Sequence, residues 1–119
     1  MKWIKVMDED TLDEGDREVV TVADHKILIL KNSGELYAVL NSCPHMGVPL
    51  KRGKLEDDNI VCPLHRSVFA LETGEVKEWA PWPPVVGPMM GAIKEERKLP
   101  VYPTKIEEGA VFIGVEDEE

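Results

Sequence analysis

The chain has 119 residues, 43% of them hydrophobic and 31% charged, the composition of one globular domain that can bury roughly two-thirds of its unfolded surface without disulfides. Its 14 basic and 23 acidic residues leave a net charge of −9, which argues against nucleic acid and against an anionic membrane as partner. The opening MKWIKVMDED lacks the apolar stretch of a secretory signal, and four prolines break the longest uncharged run, residues 79–93, so a cytoplasmic protein without a membrane anchor is expected.

In chain order the apolar positions mark short strands separated by turn residues, the spacing of an all-β domain. Ile4 and Val6 begin the series, followed by Val19, Val20 and Val22, then by the apolar runs 27–30 and 36–40. Between those two runs Lys31-Asn32-Ser33-Gly34-Glu35 reads as a hairpin turn. Further strands are expected at Ile60 and Val61, at 68–71, at 76–79, at Val101 and Tyr102, and at 111–115, with turns at Thr73-Gly74 and Glu108-Gly109. Two stretches break the pattern. One is the Pro-rich segment from Pro81 to Gly91, and the other is the charged run 94–98, which could form one helical turn. Residues 116–119, all acidic, read as a frayed tail.

The chemistry concentrates in two segments, CPHMG at 43–47 and CPLH at 62–65, each where a strand should end in a turn. Cys43 and His45 form C-x-H, Cys62 and His65 form C-x-x-H, and 16 residues separate the two motifs. Both cysteines and two of the three histidines therefore fall within 23 residues. Buried cysteines beside surface histidines would be the plainest account, but it leaves the matched Cys-Pro loops unexplained. A tetrahedral zinc site accepts this ligand set, although zinc fingers pair Cys with Cys and His with His rather than alternating them. A [2Fe-2S] cluster with two thiolates on one iron and two imidazoles on the other needs one Cys and one His from each of two facing loops, which is the observed order. Two ferric ions, two sulfides and two thiolates with neutral imidazoles sum to zero, so reduction adds a single negative charge.

At these residues the chain resembles the Rieske family, whose signature is C-x-H, a spacer of this length, then C-x-x-H. The likeness extends through YAVLNSCPHMGVPL, CPLHRSVFALETGEV and LPVYPTKIEEGAVFIGV, and is nearest to the small ferredoxins of aromatic-ring dioxygenases and the small subunit of nitrite reductase. It implies a Rieske iron-sulfur fold over 1–119: an antiparallel β-sandwich or barrel carrying a small cluster-binding subdomain of two loops at about 41–80. Cys43, His45, Cys62 and His65 would hold one [2Fe-2S] cluster, with Pro44, Met46, Gly47 and Pro63 shaping the loops. The implied function is one-electron transfer from a reductase to a terminal oxygenase or other oxidoreductase. Alternatives are a fixed subunit of a nitrite reductase-type complex and a zinc-stabilised adaptor.

Departures from the family pattern refine this picture. Rieske proteins of cytochrome bc complexes carry a disulfide between the two loops, whereas Val48 and Leu64 stand at those positions here. Of the two hydroxyl donors that raise the potential in that group, Ser67 matches one and Phe69 lacks the other, so a value in the lower half of the roughly −150 to +300 mV Rieske span is expected. The remaining histidine, His25, cannot supply a 2-His-1-carboxylate iron site, which excludes an oxygenase subunit. No G-x-G-x-x-G motif follows a strand, which excludes a nicotinamide or flavin reductase. Residues 79–98 exceed the family's usual loop. Trp79, Trp82, Val85, Val86, Met89 and Met90 would cover the cluster, or would dock a partner with Lys94, Arg97 and Lys98 beside them.

Overall fold

A computed structural model describes residues 2–22, 24–44, 47–63, 66–79 and 98–115. Eleven strands follow in order: β1 (Lys2–Asp8), β2 (Arg17–Val22), β3 (His25–Asn32), β4 (Glu35–Leu40), β5 (Lys54–Glu56), β6 (Asn59–Val61), β7 (Val68–Ala70), β8 (Val76–Glu78), β9 (Val101–Tyr102), β10 (Thr104–Glu107) and β11 (Ala110–Val115). A single 3₁₀ turn, Glu9–Thr11, follows β1, and the described residues contain no α-helix. The strands form three antiparallel sheets, ordered β1-β11-β10, β2-β3-β4-β9 and β5-β6-β7-β8.

The four-residue run in β3 shows how the layers stack. Ile27 and Ile29 pack with Leu12, Val22, Ala38, Ile113 and Val115, against the β1-β11-β10 sheet. Leu28 and Leu30 point the other way, into a cluster with Val39, Leu50, Ile60, Phe69, Leu71 and Leu99. A strand buried on both faces reads as a continuous apolar run, because both sets of alternate side chains need a core. All four side chains are fully buried, each contributing about 2 kcal/mol of transfer free energy. The sheet β2-β3-β4-β9 is therefore a middle layer, with β1-β11-β10 on one side and the small sheet β5-β8 on the other.

The expected strands are found, with 68–71 and 76–79 each ending one residue early, at Ala70 and Glu78, and with two additions. Lys54–Glu56 has one apolar residue and Thr104–Glu107 follows Pro103, so neither displays a period-2 signal, and backbone pairing to β6 and to β11 makes them strands. The hairpin turn narrows to Ser33 and Gly34, because Lys31 and Glu35 pair within the strands on either side. Both turn residues have positive φ, 55° and 78°. The run 94–98, apart from Lys98, lies outside the described residues, as do residues 80–93 and the acidic tail.

The Glu14 carboxylate accepts hydrogen bonds from the Gly34 N–H (2.8 Å) and the Ser33 N–H (2.6 Å) of that turn. These two donors, Gly34 foremost, hold the Glu14 carboxyl below its ordinary range. A lowered folded-state pKa stabilises the fold above the ordinary carboxylate range, and this stability is lost as pH falls through that range toward the lowered value. Glu14→Gln should therefore be less stable than the parent near neutrality and converge with it in acid, a difference that denaturant midpoints from about pH 3 to 7 would resolve.

Candidate metal centre

Cys43 follows β4 and Cys62 follows β6, and the two loops close in the same way. In the first, the Cys43 N–H donates to the Val48 carbonyl (2.8 Å) and the Gly47 N–H donates back to the Cys43 carbonyl (2.7 Å). In the second, the Cys62 N–H donates to the Ser67 carbonyl (2.8 Å) and the Arg66 N–H donates to the Cys62 carbonyl (3.0 Å). Counting from each cysteine, the fourth residue donates back to it and the fifth accepts from it. Each fourth residue is left-handed, with φ of 72° at Gly47 and 60° at Arg66.

These closures turn both cysteines inward. Each is 1% exposed, both belong to the apolar cluster with Leu50, Ile60 and Phe69, and neither forms a disulfide. Pro44 is half-buried and Pro63 exposed, while His45, Met46, Leu64 and His65 lie outside the described residues. Two non-disulfide thiols buried in one apolar cluster, each in a tight hydrogen-bonded loop, suit an iron-sulfur group held by thiolates.

Polar braces from the middle layer hold the loops. Asn41 Oδ1 accepts from the Leu50 and Lys51 N–H groups (2.9 and 3.0 Å), bridging the ends of the first loop. The Arg17 guanidinium of β2 donates to the Lys51 and Gly53 carbonyls, and Asn32 of β3 donates to the Asp57 carbonyl in the β5-β6 turn (2.8 Å). Sequence reasoning missed all three residues, whose partners lie 9 to 36 positions away. Beside this turn the Tyr37 phenol is held above its ordinary pKa, first by burial and then by the charges of Asp58, Glu35 and Glu72.

Ser67 is the one buried polar residue among those described, and Phe69 is fully buried beside it in the chain. Phe69 meets the half-buried Trp79 edge to face, with centroids 6.4 Å apart and planes at 89°. Trp79 thus does cover the apolar cluster, and the rest of the proposed lid or docking segment, 80–97, lies outside the described residues. His25 is exposed at the start of β3. A hydroxyl that stabilises extra negative charge raises a reduction potential. Ser67→Ala is therefore expected to lower the potential by on the order of 50 mV at unchanged iron content, a value equal to about 1 kcal/mol for one electron. Redox titration would check it.

The Rieske [2Fe-2S] domain model matches residues 2–103, and the chain belongs to that family. It carries one [2Fe-2S] cluster, which sets aside the zinc reading of the same residues. It is similar to the ferredoxin component of the alkene monooxygenase system of Xanthobacter autotrophicus, 29% identical over 98% of this chain and 84% of the relative. It is also similar to the ferredoxin component of the naphthalene 1,2-dioxygenase system of Pseudomonas putida, 33% identical over 95% of each chain. Among solved structures, the ferredoxin of carbazole 1,9a-dioxygenase from Nocardioides aromaticivorans superposes with a TM-score of 0.75 at 19% identity, over 98% of this chain and all of that one. A chain from a fluorene-bound complex of oxygenase and ferredoxin of carbazole 1,9a-dioxygenase gives a TM-score of 0.79 at 24% identity, this chain spanning 30% of its length. The protein is an electron-transfer component and not a catalyst on its own. Among the described residues no helix is long and apolar enough to cross a membrane.

Proposed function

We propose that Cys43 and Cys62 hold one iron of the cluster and His45 and His65 the other, in a single Rieske domain over 1–119 whose cluster-binding part is about 41–80. The observation that carries this assignment is the identical closure of the two cysteine loops, which offers each thiol from the same backbone frame. When bound, the cluster takes up and releases one electron. The chain's own part is to fix the ligands: the loops hold both sulfurs in the apolar cluster, Asn41 and Arg17 keep the loops on the middle sheet, and Pro63 leaves the second loop open at the surface. Such an arrangement suits a carrier in the cytoplasm that receives electrons from a reductase and delivers them to a terminal oxygenase, with neither nucleic acid nor membrane as partner. The relatives named above, ferredoxin components of oxygenase systems, support this over a fixed nitrite reductase subunit.

The test is reconstitution. The protein, a ferredoxin reductase with NADH, and a Rieske-type oxygenase should together consume substrate at a rate proportional to the carrier added. A rate independent of the carrier, or isolation of the chain only within a large complex, would overturn the reading.

A further inference from the structure

We propose that two copies of this chain join through the open edge of the β1-β11-β10 sheet, β10 running antiparallel to β10 about a two-fold axis at Ile106. The joint needs neither the cluster nor a redox partner.

The two edges of that sheet differ. β1 carries a register shift between Lys5 and Met7, the kind of bulge that keeps an edge from pairing, and Lys2 and Lys5 stand exposed along it. β10 instead pairs with β11 residue for residue from Thr104 to Glu107, and no described strand pairs with its other side. Its lysine does not guard that side. Lys105 Nζ lies 4.6 Å from the ring centre of Trp3 on β1 and 5.5 Å from that of Phe112 on β11, so it leans back across the sheet. Ile106 is 49% exposed, and Trp3, at 37%, is the only other exposed large apolar side chain among the described residues.

The ladder fixes which backbone groups the edge offers. The Gly114 N–H donates to the Pro103 carbonyl (2.9 Å), and bonded pairs alternate along an antiparallel ladder. Lys105 and Glu107 therefore turn their N–H and C=O groups toward β11, while Thr104 and Ile106 turn theirs outward. The two-residue turn at Glu108 and Gly109, with φ of 51° and 77°, agrees with this phase, because such a turn is closed by a bonded pair, here Glu107 and Ala110. An axis at Ile106 lets the outward N–H and C=O of each Ile106 bond those of the other, and brings the two exposed side chains together.

The same axis sets each Lys105 opposite Glu107 of the second copy. These two side chains lie on one face, 3.1 Å apart and 38% and 61% exposed, so each strand presents the complement of itself. Moving the axis to Lys105 or to Glu107 would oppose like charges, which destabilises a cross-strand pair. A two-fold joint closes on itself, so pairing stops at two chains. Both cysteines belong to the cluster on the opposite face of the middle sheet, away from the joint. A four-residue edge makes a small interface, so the dissociation constant is expected on the order of 0.1 mM.

Sedimentation equilibrium of the full, iron-loaded chain from about 10 μM to 1 mM tests this at about 0.15 M salt, where repulsion between two chains of charge −9 is screened beyond roughly 8 Å. The mean mass should climb from 13.4 kDa toward twice that value. Ile106→Lys should stay monomeric throughout. Lys105→Glu and Glu107→Lys should each weaken self-association by about tenfold or more, since each opposes like charges at the joint. An equimolar mixture of the two sets a strand with two acids against one with two lysines, and should return to within about threefold of the parent. Recovery in the mixture also shows that both variants fold.

A parent that remains monomeric at every concentration would overturn the proposal, leaving the edge to some other occupant. Dimerisation that survives Ile106→Lys would place the joint on another surface. A mixture no stronger than its components would overturn the register about Ile106.

Discussion

Cys43→Ser and Cys62→Ser are each expected to give a colourless protein, with iron and acid-labile sulfide falling from about two of each per chain to near zero. The size of the effect follows from burial. Each cysteine is 1% exposed inside an apolar cluster, so no water and no flexible surface group can take its place on the metal. A serine hydroxyl in that setting stays protonated, since ionising it would require both a very high pKa and the burial of a new charge. Metal and sulfide analysis beside the visible spectrum checks the outcome, and a serine variant that retains both irons would place the ligand elsewhere. The strands should persist in either variant, because the two-sided packing of β3 does not involve the sulfurs on its Ile27 and Ile29 face.

Gly74→Ala is expected to be the most damaging single methyl in the described structure. Gly74 closes the β7-β8 turn at φ 77°, with its N–H donating to the Ala70 carbonyl (2.7 Å) and its carbonyl accepting from the Leu99 N–H (2.9 Å). A Cβ there would sit 1.9 Å from the Leu99 carbonyl oxygen, a backbone atom that cannot swing aside. Leu99 is itself fully packed in the cluster that contains both cysteines, so the clash is passed to the core. Conformational strain and displacement together should cost about 3 to 5 kcal/mol, a large part of the 5 to 15 kcal/mol of a typical domain. The melting temperature should drop by on the order of 15 °C. Gly109→Ala supplies the comparison: its φ is also 77° but a Cβ there meets nothing within 4 Å, so it should lose about 1 kcal/mol from conformation alone. Equal losses at the two sites would show that the Leu99 contact costs nothing.

Much of this architecture is legible in the residues because local chemistry and global packing agree. The runs 27–30 and 36–40 are strands since their successive apolar side chains have two faces to fill, and the Cys-Pro loops announce a metal site by repeating one device twice. What stays hidden is non-local. Nothing in the order of residues tells which sheet covers the Ile27 face and which the Leu28 face, or that Arg17 reaches carbonyls 34 and 36 positions away. The short β5 and β10 are strands by partnership with stronger neighbours rather than by their own pattern. Arg66 is an intermediate case. Aligning the two loops on their cysteines sets it opposite Gly47, a signal present in the sequence whose meaning depends on the backbone angle.

The pairing of β4 with β9 has a bearing on how the chain behaves before it acquires iron. Ala38 faces Tyr102 and Val39 faces Val101, and the Leu40 N–H donates to the Pro100 carbonyl (2.9 Å), so the polypeptide leaves the middle sheet and returns to it through one doorway. The strands β5 to β8 lie between those two points in the chain, and Arg17 and Asn32 brace their loops on the middle sheet. Local opening of β5 to β8 in the iron-free chain must break these braces and part the shared apolar cluster, so their amides are expected to exchange with solvent faster than those of β3. The opening also bares Leu28, Leu30 and Val39, the apolar face that the small sheet otherwise covers. An iron-free preparation is therefore expected to aggregate more readily than the loaded protein.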